Sequence, residues 1–238
     1  MTKNKDKIVI LDIEVNSKQD AKMNEHFHVI QIGAVKKDFE SQKDPLKFNA
    51  YVKPKEIFEY PNGGPILTEF IKDLTKIIQE QVDTAESFEV VWPKFLKFCS
   101  PYFECFASWG AYDWEVLQRA CEYHKLKFPF KYHINLKELY RLFFNKDGWK
   151  RGTGVQSAMK YFDLKSGLEA HNALNDAKMI SDIADAMVKG GFYTFTKQKY
   201  DASLTPNEKG QYFWNPVIIK KYKELSDWNA NIREVLFK

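Results

Sequence analysis

The stretch Lys7-Ile8-Val9-Ile10-Leu11-Asp12-Ile13-Glu14 sets the reading of the whole chain. Ile8 to Leu11 form an unbroken apolar run, the pattern of a central strand buried on both faces. The run then closes on two acids, Asp12 and Glu14, two residues apart. A strand repeats every two residues, so both carboxylates lie on one face at its C-terminal end. Two charges at the end of an apolar central strand are costly unless something binds them, and a hard divalent cation is the natural partner. A strand that ends there with solvated charges would show the same Asp-x-Glu, so the pair by itself leaves both readings open.

Working outward, a second strand is predicted from Phe27 to Lys36 and a third from Lys47 to Val52, stopping before Lys53-Pro54. Asn16 to His26 is a polar loop, and the connections are short enough for an antiparallel meander. Pro61-Asn62-Gly63-Gly64-Pro65 is a turn cluster. Thr68 then caps a short helix and Ser87 a longer one carrying Val90, Val91, Phe95, Leu96 and Phe98. Phe103–Ser108 and Tyr132–Leu136 read as strands. Helices are expected over Asp113–His124, Lys137–Phe144, Gly152–Phe162 and Ala173–Val188. Strand-strand-strand-helix-strand-helix-strand-helix-helix is an α/β order, and the helix-free start makes the sheet mixed.

Gly190-Gly191 reads as a stop. Residues 1–190 are therefore expected to form the main domain and 191–238 a C-terminal extension rather than an independent domain. Asn215-Pro216 opens a helix in that extension, with Ile218, Tyr222, Leu225, Trp228, Ile232 and Leu236 on one stripe. That helix is expected to pack back on the domain, with a protein partner as the other occupant of its apolar stripe.

Across the 238 residues, 36 Lys and Arg balance 32 Asp and Glu to a net charge of +4, and ordinary apolar content argues against disorder. No apolar run reaches the ~18 residues of a membrane span, and the run after Lys7 is too short for a signal-peptide core. Cys99, Cys105 and Cys121 fit neither a disulfide framework nor a zinc signature. They read as buried thiols, and a cytoplasmic location is expected. The mildly basic balance permits a nucleic-acid partner without requiring one.

Two further acids fall on helices that follow strands. Asp113 precedes Val116 and Leu117 by three and four positions, which turns it toward the sheet, although an acid in a first turn also suits the helix dipole. Asp176 shares the inward stripe of Ile180 and Ile183, where a carboxylate is hard to explain as packing, whereas Asp182 lies on the outer side. His171 stands five residues ahead of Asp176 and is a candidate base. Asp12, Glu14, Asp113 and Asp176 gathered in one place would raise one another's pKa. Two divalent cations would neutralise them, the composition of a two-metal phosphoryl-transfer site.

Three blocks carry a family resemblance: Ile10-Leu11-Asp12-Ile13-Glu14, Ser108-Trp109-Gly110-Ala111-Tyr112-Asp113, and His171-Asn172-Ala173-Leu174-Asn175-Asp176. In this order they resemble the DEDDh (DnaQ-like) 3′→5′ exonucleases, whose fold is ribonuclease H-like. Phe48-Asn49-Ala50-Tyr51-Val52-Lys53-Pro54 and Leu67-Thr68-Glu69-Phe70 look like the branch of enhanced-RNAi exonucleases and KapD-like sporulation inhibitors. Two departures stand out. Val15-Asn16-Ser17 follows Glu14 where relatives commonly have small residues or threonine, and Gln31 stands where relatives often have glutamate.

The resemblance implies an α/β, ribonuclease H-like fold with a five-stranded mixed sheet flanked by helices. It implies a hydrolase that releases 5′-mononucleotides from a 3′ end with two divalent ions, Mg²⁺ or Mn²⁺. Asp12, Glu14 and Asp176 would hold one ion, Asp12 and Asp113 the second, and His171 would act as general base. RNA is the favoured substrate, with single-stranded DNA beside it. Asn16, Phe27 and His28 border the site and are expected to touch the terminal nucleotide, whereas Trp109 is expected in the core. The alternative is a weak or inactive relative that binds nucleic acid or protein without cutting.

Overall fold

The structure is a computed structural model, and it describes residues 7–17, 28–39, 43–55, 66–100, 105–144, 152–189, 204–206 and 212–214. Strand β1 (Lys7–Val15) pairs antiparallel with β2 (Val29–Asp38), which pairs antiparallel with β3 (Leu46–Tyr51). Helices α1 (Glu69–Thr75), α2 (Gln79–Asp83) and α3 (Phe88–Cys99) lead to β4 (Cys105–Ser108), which runs parallel to β1. Helix α4 (Tyr112–Tyr123) precedes β5 (Tyr132–Asn135), parallel to β4. Helices α5 (Leu136–Phe143), α6 (Val155–Tyr161) and α7 (Ala173–Lys189) follow. The sheet order is β3-β2-β1-β4-β5, the mixed five-stranded arrangement expected from the order of elements.

Alternation along β1 divides the core in two. Val9, Leu11, Ile13 and Val15 pack with Trp92 and Phe95 of α3 and Leu117 and Ala120 of α4. Ile10 faces the other way, onto Leu139 and Tyr140 of α5, Met159 of α6 and Ile180 and Ile183 of α7. Each such side chain contributes ~1.5–3 kcal/mol when fully buried, which is why β1 sits at the centre of the sheet. Asp12 and Glu14 continue the row of Ile10, so they emerge on the face covered by α7.

The ladder between β1 and β2 shifts register once. Glu14 pairs with Gln31 and Val15 with Val29, so Ile30 is an extra residue on β2, a β-bulge. Ile30 joins a small third cluster with Leu67, Ile71, Ile77 and Val82, which seats α1 and α2. Its carbonyl still accepts from Val52 N at 2.8 Å.

Several caps follow the sequence. Thr68 Oγ1 accepts from Ile71 N at 3.3 Å at the start of α1, and Asn135 Oδ1 accepts from Glu138 N at 3.1 Å at the start of α5. Ser87 holds the cap position of α3 through its carbonyl, while its hydroxyl bonds Glu89 and makes no capping bond. Beyond α7, within the expected C-terminal extension, lies a two-stranded antiparallel ladder, β6 (Leu204–Pro206) with β7 (Tyr212–Trp214). The helix expected after Asn215-Pro216 lies outside the described residues. No described helix is long and apolar enough to cross a membrane.

Candidate active site

Asp12 and Glu14 leave β1 on the face where α7 lies, and Asp176 occupies the first turn of that helix. One carboxylate oxygen from each of the three falls within 4.8 Å of the others. Asp113 arrives from the other side, in the first turn of α4, and is only 4% exposed. Its carboxylate accepts from the Ser108 hydroxyl, from its own N–H and from the N–H of Ile13. The sheet thus brings together all four acids expected from the sequence.

Their electrostatics are mutually unfavourable. Burial, then Asp113, Glu14 and Asp176, hold the Asp12 carboxyl well above its usual range. Burial, with Asp176 and Asp113, pushes Glu14 to about 8. Asp113 rises to about 6 through burial, against three hydrogen bonds that pull it down. Burial also raises Asp176, opposed by the backbone N–H groups and charge of the 171–172 segment. Hard oxygen donors, clustered, partly desolvated and repelling one another, are the donor set a divalent cation needs.

His171 sits on the exposed loop before α7 with φ of 61°, a left-handed backbone uncommon outside glycine. Its N–H donates to Asp176 Oδ2 at 2.8 Å, so the backbone anchors the loop to the cluster while the ring faces solvent.

Two residues seat the start of α7 against the sheet. Gln31, the ladder partner of Glu14 and fully buried, donates to Asn49 Oδ1 at 2.9 Å and accepts from Ala173 N at 3.1 Å. Gly33, the ladder partner of Asp12, lies so close that an added Cβ would stand 2.1 Å from the Ala173 carbonyl carbon. At its far end, α7 is tied to β2 by the ion pair of Lys37 and Asp185. Gln31 was visible in the sequence only as a departure, and no local signal marks its partner 142 residues away.

Two of the expected nucleotide contacts are placed otherwise. Asn16 is 1% exposed and its amide is used internally: Nδ2 donates to Ile66 O at 3.0 Å and Oδ1 accepts from Thr68 N at 3.1 Å. It clasps the end of β1 to the cap of α1. The His28 ring is buried against Tyr123, and burial together with His124 lowers its pKa to about 4, so it packs as a neutral ring. Phe27 lies outside the described residues. Trp109 packs beside Tyr140 and donates to Thr153 O at 2.8 Å, in keeping with the expected core role.

A mixed sheet of this order, with carboxylates gathered at the end of its first strand, defines a nuclease of the ribonuclease H-like class. Residues 9–184 match the family model described as Exonuclease (RNase_T), and the chain belongs to that family, within the DEDDh 3′→5′ exonucleases. It is 27% identical over 201 residues to the 3′-5′ exonuclease crn-4 of Caenorhabditis elegans, covering 78% of this chain and 64% of that protein. It is 24% identical over 210 residues to human ERI1 exoribonuclease 2, covering 78% of this chain and 29% of that protein. The chain therefore spans less than two thirds of these relatives. Among solved structures, the nuclease domain of 3′hExo, a DEDDh family member bound to rAMP, superposes with a TM-score of 0.69 at 24% identity, over 80% of this chain and 96% of that one. The crystal structure of cell-death related nuclease 4 gives 0.67 at 26% identity, over 78% and 64%.

Proposed function

We propose that the chain is a metal-dependent 3′→5′ exonuclease that shortens RNA from its 3′ end to 5′-mononucleotides. The observation that carries this is the meeting of Asp12, Glu14 and Asp176 within 4.8 Å beside the buried Asp113. Relatives are named as exoribonucleases, which supports RNA as the substrate.

Asp12, Glu14 and Asp176 would hold one divalent ion, Mg²⁺ or Mn²⁺, and Asp113 with Asp12 a second. When bound, such ions neutralise the acids and polarise the scissile phosphate and the attacking water. Asp113 stays in place through its three donors, so its carboxylate presents fixed oxygens to the cluster. The His171 ring accepts a proton from the water, and its exposure lets it return that proton to solvent between turnovers. A general base of this kind contributes ~10²–10⁴-fold. The His171 backbone does a separate job, holding Asp176 in register with β1.

Incubating the protein with uniformly labelled single-stranded RNA and DNA oligonucleotides and Mn²⁺ or Mg²⁺ tests the reading, with labelled 5′-mononucleotides as the expected product. His171→Asn is the informative variant, because asparagine tolerates the left-handed backbone at φ 61°. It should lose ~10²–10⁴-fold in kcat and keep Mn²⁺ binding, since the N–H to Asp176 survives. RNA retained on the protein without metal-dependent release on any substrate would instead establish a binding module.

A further inference from the structure

Ser108 and His133 form a buried polar pair between β4 and β5, with Ser108 Oγ 2.9 Å from His133 Nε2. The imidazole is 3% exposed and packs against the stacked rings of Phe106, at 5.3 Å, and Trp114, at 5.6 Å. Such a polar ring in an aromatic pocket is expensive unless its bond matters.

Counting hydrogens settles the direction of that bond. A serine hydroxyl carries one hydrogen. Ser108 Oγ lies 3.0 Å from Gly110 O and also bonds the Asp113 carboxylate, and both of these are acceptors only. The single hydroxyl hydrogen is shared between these two acceptors, Gly110 O and the Asp113 carboxylate, so the bond to His133 must be supplied by the imidazole. Burial lowers the His133 pKa to about 3, leaving a neutral ring with one N–H. The geometry puts that hydrogen on Nε2.

We infer that Ser108 and His133 are positioning residues: a buried donor chain, His133 Nε2–H to Ser108 O–H to the Asp113 carboxylate, fixes how Asp113 presents its oxygens to the acid cluster. The chain acts only through Asp113 and touches no substrate. It rests on the reading of Asp113 as a metal-holding acid. It also joins β5, otherwise remote from the cluster, to the site through two side chains. Ser108→Ala removes the donor to Asp113 without adding bulk, and His133→Phe removes the donor to Ser108. His133→Gln keeps an amide N–H near the position of Nε2.

The test is calorimetric Mn²⁺ titration of the full chain, with kcat and KM on an RNA oligonucleotide, and ¹⁵N NMR of the histidine tautomer. Loss of a partner that orients a ligating group typically costs 10–100-fold in metal affinity. Ser108→Ala should weaken Mn²⁺ binding and kcat by that order with KM within twofold. The double variant Ser108→Ala, His133→Phe should be no worse than Ser108→Ala alone, because His133 acts through Ser108. His133→Gln should recover most of what His133→Phe loses, and NMR should find the Nε2–H form. Wild-type binding with Mn²⁺ affinity unchanged in Ser108→Ala, additive losses in the double variant, or an Nδ1–H tautomer would each overturn the relay alone. A wild-type chain that binds no Mn²⁺ overturns the metal-site reading, and the relay with it.

Discussion

Replacing Gly33 by alanine should damage the site from outside it. The new Cβ would lie 2.1 Å from the Ala173 carbonyl carbon and the Leu174 nitrogen and 2.4 Å from the Ala173 oxygen. All three are backbone atoms of the first turn of α7, which no rotamer change can move aside. Carbon atoms sit comfortably at ~3.5 Å or more, so the start of α7 must lift by about 1.4 Å from the 2.1 Å contact. Overpacking of this kind costs ~1–3 kcal/mol. The larger effect is on the chemistry, because the lifted turn carries Asp176 and follows His171. A misplacement of ~1 Å can cost ~10²-fold in rate, and Asp176 would leave the common reach it shares with Asp12 and Glu14. The assay is mononucleotide release from a labelled oligonucleotide, with Mn²⁺ titration and thermal melting on the same preparation. Gly154→Ala, where an added Cβ meets nothing within 4 Å, is the matched control and should keep full activity. A folded Gly33→Ala protein with kcat and Mn²⁺ affinity within threefold of wild type would refute the argument that this glycine seats the helix.

The metal-free chain should lose stability as pH rises from about 5 to about 8. Folded Glu14 keeps its proton up to about 8, whereas the unfolded chain releases it near the ordinary glutamate value. Between those limits each retained proton lowers stability by ~1.4 kcal/mol per pH unit. Melting in chelator across that range measures the slope. Saturating Mn²⁺ should reverse it, since metal binds the deprotonated acids, and a flat or rising Tm in chelator would contradict the pKa directions. Asn16→Ala removes two part-buried hydrogen bonds and leaves Thr68 N and Ile66 O without their partner. It should cost ~1–3 kcal/mol in chemical denaturation while KM for RNA stays within twofold. A large KM effect without destabilisation would restore the expected contact with the terminal nucleotide.

What could be read from the chain was whatever period and sign encode locally. Asp12 and Glu14 were legible because two-residue spacing fixes their shared face, and Asp176 because a carboxylate on the stripe of Ile180 and Ile183 has no packing purpose. Asp113 was legible through its place just after a strand. What escaped depends on partners far along the chain. Asn16 looks like a loop amide free to meet substrate until Ile66 and Thr68 come alongside it. His28 looks exposed until Tyr123 covers it. Gln31 differs from related sequences at one letter, yet its partner is the amide of Ala173. Ser108 and His133 carry no local mark of a shared role, and only the parallel pairing of β4 with β5 brings them together. The β6–β7 ladder was missed because its three-residue strands are too short to leave an alternating pattern.

The bulge at Ile30 divides β2 into two parts with different tolerance for change in length. Ahead of it, the chain enters the sheet with one residue already out of step, so a small insertion near residues 28–30 has a structure able to absorb it. Behind it, from Gln31 to Val35, every residue is held opposite a named partner on β1. A single added residue there would slide Gly33 and Gln31 past Asp12 and Glu14 and turn the Gln31 side chain away from Ala173. Gaps between this chain and its relatives should therefore gather before Gln31, and the five residues from Gln31 to Val35 should align without one.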